Sequence, residues 1–308
     1  MSTRDLQWVP EAAMDHGYYE HQPISQRAPL HWPAQNRVAV IVLLHLEYWQ
    51  QEPMPEARRD RRFVGEYGSF SPDYRSWSQR EYGNRVGLAR ILPVLDRYGL
   101  RLSVPLNAAC AGRHDEHIEA LAERGAEFLG HGTAANHIIS SEMAPELERE
   151  VILQSLDTVE RATGVRPSGW AGQSYGESAR TPELLAQLGL DYVLDWPNDD
   201  APYLMHTGPR ALVSLPRQPE WDDVEQLWLR RIAMPRYPEI VGEAFETLRD
   251  EGGRIFVLSL HPWLIGMAHR VRYLDLALER IMGSSGIWQA TAGEVARHAR
   301  QVLEQDGE

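Results

Sequence analysis

Short apolar runs along the chain end in polar tips and are followed by stretches of helical periodicity. The first run is Arg37-Val-Ala-Val-Ile-Val-Leu-Leu44. A run this short and this rich in Val and Ile predicts a strand buried on both faces. It ends in His45-Leu46-Glu47-Tyr48-Trp49. Residues 86–98 predict a helix stopped by Gly99, and 100–106 a second strand, with Pro105 placing it near an edge or a strand end. Residues 117–123 read as helix, and 126–130 as a short strand that delivers His131. Residues 145–163 form the clearest helix, with Ile152, Leu156 and Val159 on one face and Gly164 as its stop. Residues 181–188 start with a Thr cap and a Pro, and Gly189 stops them. A strand at 191–194 leads to Asp195-Trp196, and another at 254–260 delivers His261. A core helix at 271–282 and a last short strand at 287–288 precede Thr291, which caps the terminal helix.

Strand, polar tip and helix in repetition predict an α/β fold with a mostly parallel, barrel-like sheet. Residues 1–36 are polar and rich in Pro, His and Gln, and read as an arm or cap on one domain of 37–308. Residues 50–80 read as a long loop, and loops of that length are often functional. The net charge of −13 and the lack of a basic run argue against nucleic acid or an anionic membrane as partner. A single cysteine, Cys110, excludes an internal disulfide and reads as a small buried hydrophobe. No apolar run approaches the length of about 18 residues that a spanning helix needs. The N-terminus leads into no apolar signal segment, so the expected compartment is the cytoplasm.

Four strand tips carry acid, base or aromatic groups: His45 with Glu47, His131, Asp195 with Trp196, and His261. Such tips converge on one rim of a β/α sheet. A carboxylate with several imidazoles can bind a metal or act as general base and acid.

Three segments carry a resemblance. Gly130-His131-Gly132, Thr163-Gly-Val-Arg166-Pro167-Ser-Gly169-Trp170 and Leu258-Ser-Leu-His261-Pro262 resemble, in order and spacing, motifs of the polysaccharide deacetylase superfamily. The resemblance runs from about Arg37 to the C-terminus and implies a distorted, incomplete (β/α) barrel. Residues 80–85, Trp170, 195–200 and 261–270 look most similar to the branch of metal-independent allantoinase, cyclic-imide hydrolase and cytoplasmic peptidoglycan-deacetylase-like proteins. Typical members carry paired aspartates at the first strand tip, where this chain has His45-Leu46-Glu47. They place two metal histidines four residues apart, where this chain has His131 and Ala135, with His137 two further on. The resemblance therefore leaves two cofactor states open: a divalent metal, zinc first, on Glu47, His131 and His137, or no metal.

What the resemblance implies is hydrolysis of a C–N amide-type bond in a cyclic imide, ureide or N-acyl small molecule through a tetrahedral intermediate. Glu47 would activate water, His261 would protonate the leaving nitrogen, and His131 and Arg166 would assist, Arg166 as an orienter of a carboxylate. His45, Tyr82, Trp170, Asp195, Trp196 and Trp263 would contact substrate. The alternatives are a metal-dependent N-deacetylase of an amino sugar or oligosaccharide, and a deacetylase fold that has lost its chemistry and binds a ligand. A homo-oligomer is expected from the family resemblance and from the arm. His114, His117 and His206 match no motif and read as surface residues.

Overall fold

The computed structural model describes residues 16–52 and 72–305. The described strands are β1 (Val38–Leu44), β2 (Leu102–Leu106), β3 (Glu127–Gly130), β4 (Gly169–Trp170), β5 (Tyr192–Val193), β6 (Tyr203–Met205), β7 (Leu212–Ser214), β8 (Arg254–Leu260) and β9 (Ile287–Gln289). The helices are α1 (Tyr74–Tyr82), α2 (Leu88–Arg97), α3 (Asp115–Glu123), α4 (Pro145–Thr163), α5 (Thr181–Gln187), α6 (Arg236–Glu251), α7 (Val271–Met282) and α8 (Ala292–Gln305). The sheet order is β6-β7-β5-β4-β3-β2-β1-β8, with β9 beside the first half of β1. All pairings are parallel except β6 with β7. Strands β6 and β8 end the sheet without pairing to each other, so the curled sheet is an incomplete barrel.

Alternation along the strands builds two apolar layers, because successive side chains point to opposite faces. Val38, Val40, Val42 and Leu44 of β1 pack outward with residues of α2, α6 and α7. Ala39, Ile41 and Leu43 point inward and meet Leu129, Val213, Leu215, Ile255 and Val257. The inward parity continues past the strand ends. It places His45 and Glu47 after β1, His131 after β3, Arg217 after β7 and His261 after β8 at one rim.

The barrel floor is tied off at the other end. The Glu127 carboxylate accepts from Ser103 Oγ (2.9 Å), Tyr192 Oη (2.8 Å) and the Gly293 backbone N–H (3.0 Å). A carboxylate at the first turn of α8 also meets the positive end of the helix.

Several expectations change. Strand β2 lies inside the sheet, between β1 and β3, so of the two readings of Pro105 the edge fails and the strand end holds, with Leu106 the last residue. Pro105 is tolerated there because it sits beyond the Val42↔Leu102 and Leu43↔Ser103 pairs, with its carbonyl accepting from Leu46 N–H. The helix expected at 86–98 begins earlier, as α1 and α2 joined by a π-helical turn at Gly83–Gly87. Part of the expected 50–80 loop is therefore helical, and its remainder, 53–71, lies outside the described residues. Thr181 is the first residue of α5 and not its cap; its hydroxyl donates to the buried Glu148 carboxylate. The described part of the arm packs on its own chain, with Tyr18, Leu30 and Trp32 buried. No helix among the described residues is long and apolar enough to cross a membrane.

Candidate active site

The rim encloses a cleft lined by His45, Glu47, Arg80, His131, Arg217 and His261, with Trp49, Tyr175 and Trp263 on its walls. The His45 and His261 rings stack with centroids 4.1 Å apart. His45 Nδ1 lies 3.3 Å from His131 Nε2, which lies 3.5 Å from Glu47 Oε1. His131 Nδ1 donates to the Ala171 carbonyl, since a carbonyl can only accept. His261 Nδ1 is bound to Asp223 Oδ1 at 2.6 Å, and its backbone N–H donates to Asp223 Oδ2 at 2.8 Å. Two grips by one carboxylate fix the ring and leave Nε2 as the nitrogen that can exchange a proton in the cleft.

The guanidinium groups are held by aromatic faces. Arg80 sits between the Trp49 and Trp263 rings, 4.2 and 4.0 Å from their centroids. Arg217 lies 4.0 Å above the Tyr175 ring and 3.6 Å from Asp195 Oδ1. Ser174 and Tyr175 hold φ of 50° and 60°, a region strained for residues with a Cβ. Strain of this kind persists only where the surroundings fix it, here directly under Arg217.

Burial and neighbours divide the charges. Burial, then the positive charge of His261 and Arg217, pushes His45 well below the ordinary imidazole range, so it is neutral. Burial raises Glu47, but His131 beside it and the charges of His261 and Arg80 outweigh that and bring it to about 2. Burial lowers His261, yet Asp223, Asp222 and Glu47 together lift it to about 9. At neutral pH the cleft thus holds an ionised carboxylate and an imidazolium. Burial and the adjacent Asp223 charge raise Asp222 to about 6.

The resemblance leaves a divalent metal open. Among the described residues, two groups at this rim have ligand atoms that all lie within 4.8 Å of one another: Asp222, Asp223 and His261, where the imidazole Nδ1 is already taken by Asp223 Oδ1, and His45, Glu47 and His131. The donor chemistry does not complete the set. Arg217 Nη1 faces His45 Nε2 at 3.4 Å, and arginine can only donate. Nε2 therefore accepts, the proton of neutral His45 sits on Nδ1, and Nδ1 has no lone pair for a metal. Glu47 and His131 alone are fewer ligands than the three or four protein groups that hold zinc. The residues do not fit a resident metal, and no step below passes through one.

The structure brings His45, Glu47, His131, His261 and Trp263 to one cleft and places seven other residues differently from their sequence reading. His137 is outside the group: its Nδ1 pairs with Thr133 Oγ1 at 2.8 Å, because two residues beyond the usual spacing turn it away. Arg166 is not at the site; it binds Asp157 (2.8 Å) and Glu160 (2.7 Å) on the surface beyond α4. Tyr82 accepts from Arg90 and does not line the cleft. Trp170 is fully buried core beneath Gly130. Trp196 packs on Tyr18 and Tyr19 and donates to Glu177 at 2.7 Å, away from the cleft. Asp195 stands behind the cleft wall, accepting from Gly172 N–H with both oxygens and facing Arg217. His114 is buried, with Nε2 3.3 Å from Asn84 Nδ2, and is not a surface residue.

Arg80, Arg217, Asp222 and Asp223 were not foreseen. Parity was the available signal for Arg217: Val213, Leu215 and Arg217 alternate as Leu43, His45 and Glu47 do. Asp222 and Asp223 stand at the junction of a short 3-10 turn, Pro219–Trp221, and a π-helical turn, Val224–Leu229, which no periodicity announces.

Comparison with known proteins agrees with this frame. The polysaccharide deacetylase family profile matches residues 81–193. A Schizosaccharomyces pombe protein named as a polysaccharide deacetylase is 26% identical over 301 residues, covering 86% of this chain and 91% of that one. The peptidoglycan deacetylase of Helicobacter pylori is 27% identical over 148 residues, 47% of this chain and 49% of that one. Among solved structures, the allantoinase PuuE superposes with a TM-score of 0.77 at 25% identity, covering 92% of this chain and 98% of that one. The profile match and these relatives lie where the motifs of the chain pointed, and the chain is similar to the polysaccharide deacetylases over that region.

Proposed function

We propose that this chain hydrolyses an amide-type C–N bond in a small cyclic imide, ureide or N-acyl compound without a metal. The coarse class, a hydrolase of non-peptide C–N bonds, follows from its family and from the allantoinase neighbour. The observation that carries the finer reading is the opposed pair in one cleft: Glu47 held ionised and His261 held protonated.

Water enters against Glu47, whose carboxylate accepts one of its protons. A carboxylate near 2 is a weak base, so it orients the water, and proton transfer accompanies C–O bond formation as charge develops. The carbonyl oxygen becomes an oxyanion, and the guanidinium groups on the cleft wall, Arg80 and Arg217, are donors of the right charge for it. The intermediate collapses by breaking the C–N bond. His261 Nε2–H protonates the nitrogen as it leaves, because an amide anion is a poor leaving group. The proton left on Glu47 returns to His261, and the products are a carboxylic acid and an amine, joined as one molecule when the substrate is a ring.

The test is a turnover screen of purified protein on cyclic imides, ureides and N-acetylated amino sugars, before and after chelation. Chelator-insensitive turnover of an imide or ureide supports the reading. Turnover confined to N-acetyl sugars, restored only by added metal, favours the metal-dependent N-deacetylase suggested by the names of the relatives.

A further inference from the structure

We propose that Arg217 is a positioning residue that keeps this rim free of metal, by fixing the direction of a hydrogen-bond chain from Arg217 through His45 and His131 to the Ala171 carbonyl. Each end of the chain has one possible polarity. Arg217 has donors and no acceptor, and the Ala171 carbonyl accepts and cannot donate. Between them, His45 Nε2 accepts from Arg217 (3.4 Å), and His45 Nδ1–H donates to His131 Nε2 (3.3 Å). His131 Nδ1–H then donates to Ala171. Every position of the chain is then satisfied, and both nitrogens of each ring are used.

The polarity matters because the same atoms nearly make a ligand set. His131 has the outer arrangement of a metal ligand, with Nδ1–H on a backbone carbonyl. Glu47 supplies a carboxylate, and His45 Nδ1 faces both. What is missing is the lone pair on His45 Nδ1, which Arg217 withholds by occupying Nε2. Without a donor at Nε2, the ring can move its proton there and present Nδ1 to an ion.

Arg217 is built into place for this. It is buried, stacked on Tyr175, and faces Asp195, which is itself clamped on Gly172 N–H. Gly172 cannot carry a side chain, since a Cβ there would lie 2.7 Å from Asp195 Oδ2. Arg217 Nε is buried with no hydrogen-bond partner, so the group keeps a donor in reserve for a ligand. The assignment does not rest on the substrate, and its readouts are metal affinity and imidazole nitrogen shifts.

The experiment uses the full chain labelled with ¹⁵N-histidine, with the His45 signals assigned by their loss in H45N. In wild type the proton is expected on His45 Nδ1, with a bare Nε2. Wild type, R217M and R217K are then titrated with Co²⁺, followed by calorimetry and visible absorption. R217M is expected to bind one Co²⁺ per chain on the order of 100-fold more tightly than wild type, the range by which outer partners tune metal sites. R217K keeps an obligate donor and should stay with wild type, and H45N added to R217M should abolish the gain. A proton on Nε2 of His45 in wild type, one Co²⁺ bound stoichiometrically by wild type, or no gain in folded R217M overturns the proposal. If R217M does not fold, the nitrogen shifts of wild type and R217K decide.

Discussion

At the scale of single residues, the account turns on Asp223 and His261. The acid form of His261 exists because a buried carboxylate holds its Nδ1–H at 2.6 Å, with Asp222 and Glu47 adding negative charge. A general acid must be protonated, so turnover should fall as pH rises through about 9. In D223N that alkaline limb should move down toward the ordinary imidazole value of 6.5, measured as the pH profile of kcat/KM. Stability follows the same sign. The raised His261 contributes fully below 6.5 and loses its contribution as pH rises through about 9. The depressed Glu47 contributes above 4.5 and loses its contribution as pH falls toward about 2. Arg166 offers the contrasting case. Its partners are surface carboxylates, so R166A should leave kcat/KM unchanged and cost no more than about 1 kcal/mol in denaturant unfolding.

At the scale of elements, the π-helical turn Gly83–Gly87 is the seat on which the His261 loop rests. A Cβ at Gly87 would lie 2.0 Å from the Pro262 carbonyl oxygen, and one at Gly83 would lie 2.5 Å from the Trp263 nitrogen. Both contacts are backbone, so neither can rotate away. G87A should therefore destabilise the protein by about 1–3 kcal/mol, read as a lowered unfolding midpoint, and should lower turnover by shifting Trp263 and His261. The same scale explains what could be read from sequence. Strands β1 and β8 were legible because β1 is apolar throughout and β8 is apolar except at Arg254 and Ser259, and their tips carried His45, Glu47 and His261. Helix α4 was legible with its Gly164 stop, where φ is 76°. Strand β7 has three residues, so alternation alone announced Arg217 only weakly, and Asp223 stands between two irregular turns, Pro219–Trp221 and Val224–Leu229, with no periodic element to announce it. Trp170, Trp196 and Tyr82 were misplaced because nearness in sequence to a motif does not fix which side of a strand or helix a ring takes. Parity decides it: Trp170 points from β4 into the α4 side of the sheet, while Ala171 faces the barrel.

At the scale of the whole molecule, one end of the barrel is for stability and the other for chemistry. The floor is closed by Glu127, Tyr192 and the first turn of α8, with no atom exchanged with the cleft. E127A removes the acceptor from three donors at once and should lower the thermal midpoint while leaving the pH profile of the surviving activity unchanged. The rim gathers His45, Glu47, His131, Arg217 and His261 from four strands, so no single segment of the chain contains the site. That is why the chemistry could be anticipated as a class from tips in register, while the metal question needed the hydrogen-bond directions that only the assembled rim displays.

The central claim is metal-independent catalysis by Glu47 opposite His261. Its most direct test is the turnover of exhaustively chelated wild type and E47Q on the imide or ureide that the screen identifies. The account predicts undiminished wild-type turnover and a fall in folded E47Q of about 10²–10⁴-fold. Wild type that loses activity on chelation, or E47Q that turns over as wild type does, would contradict it.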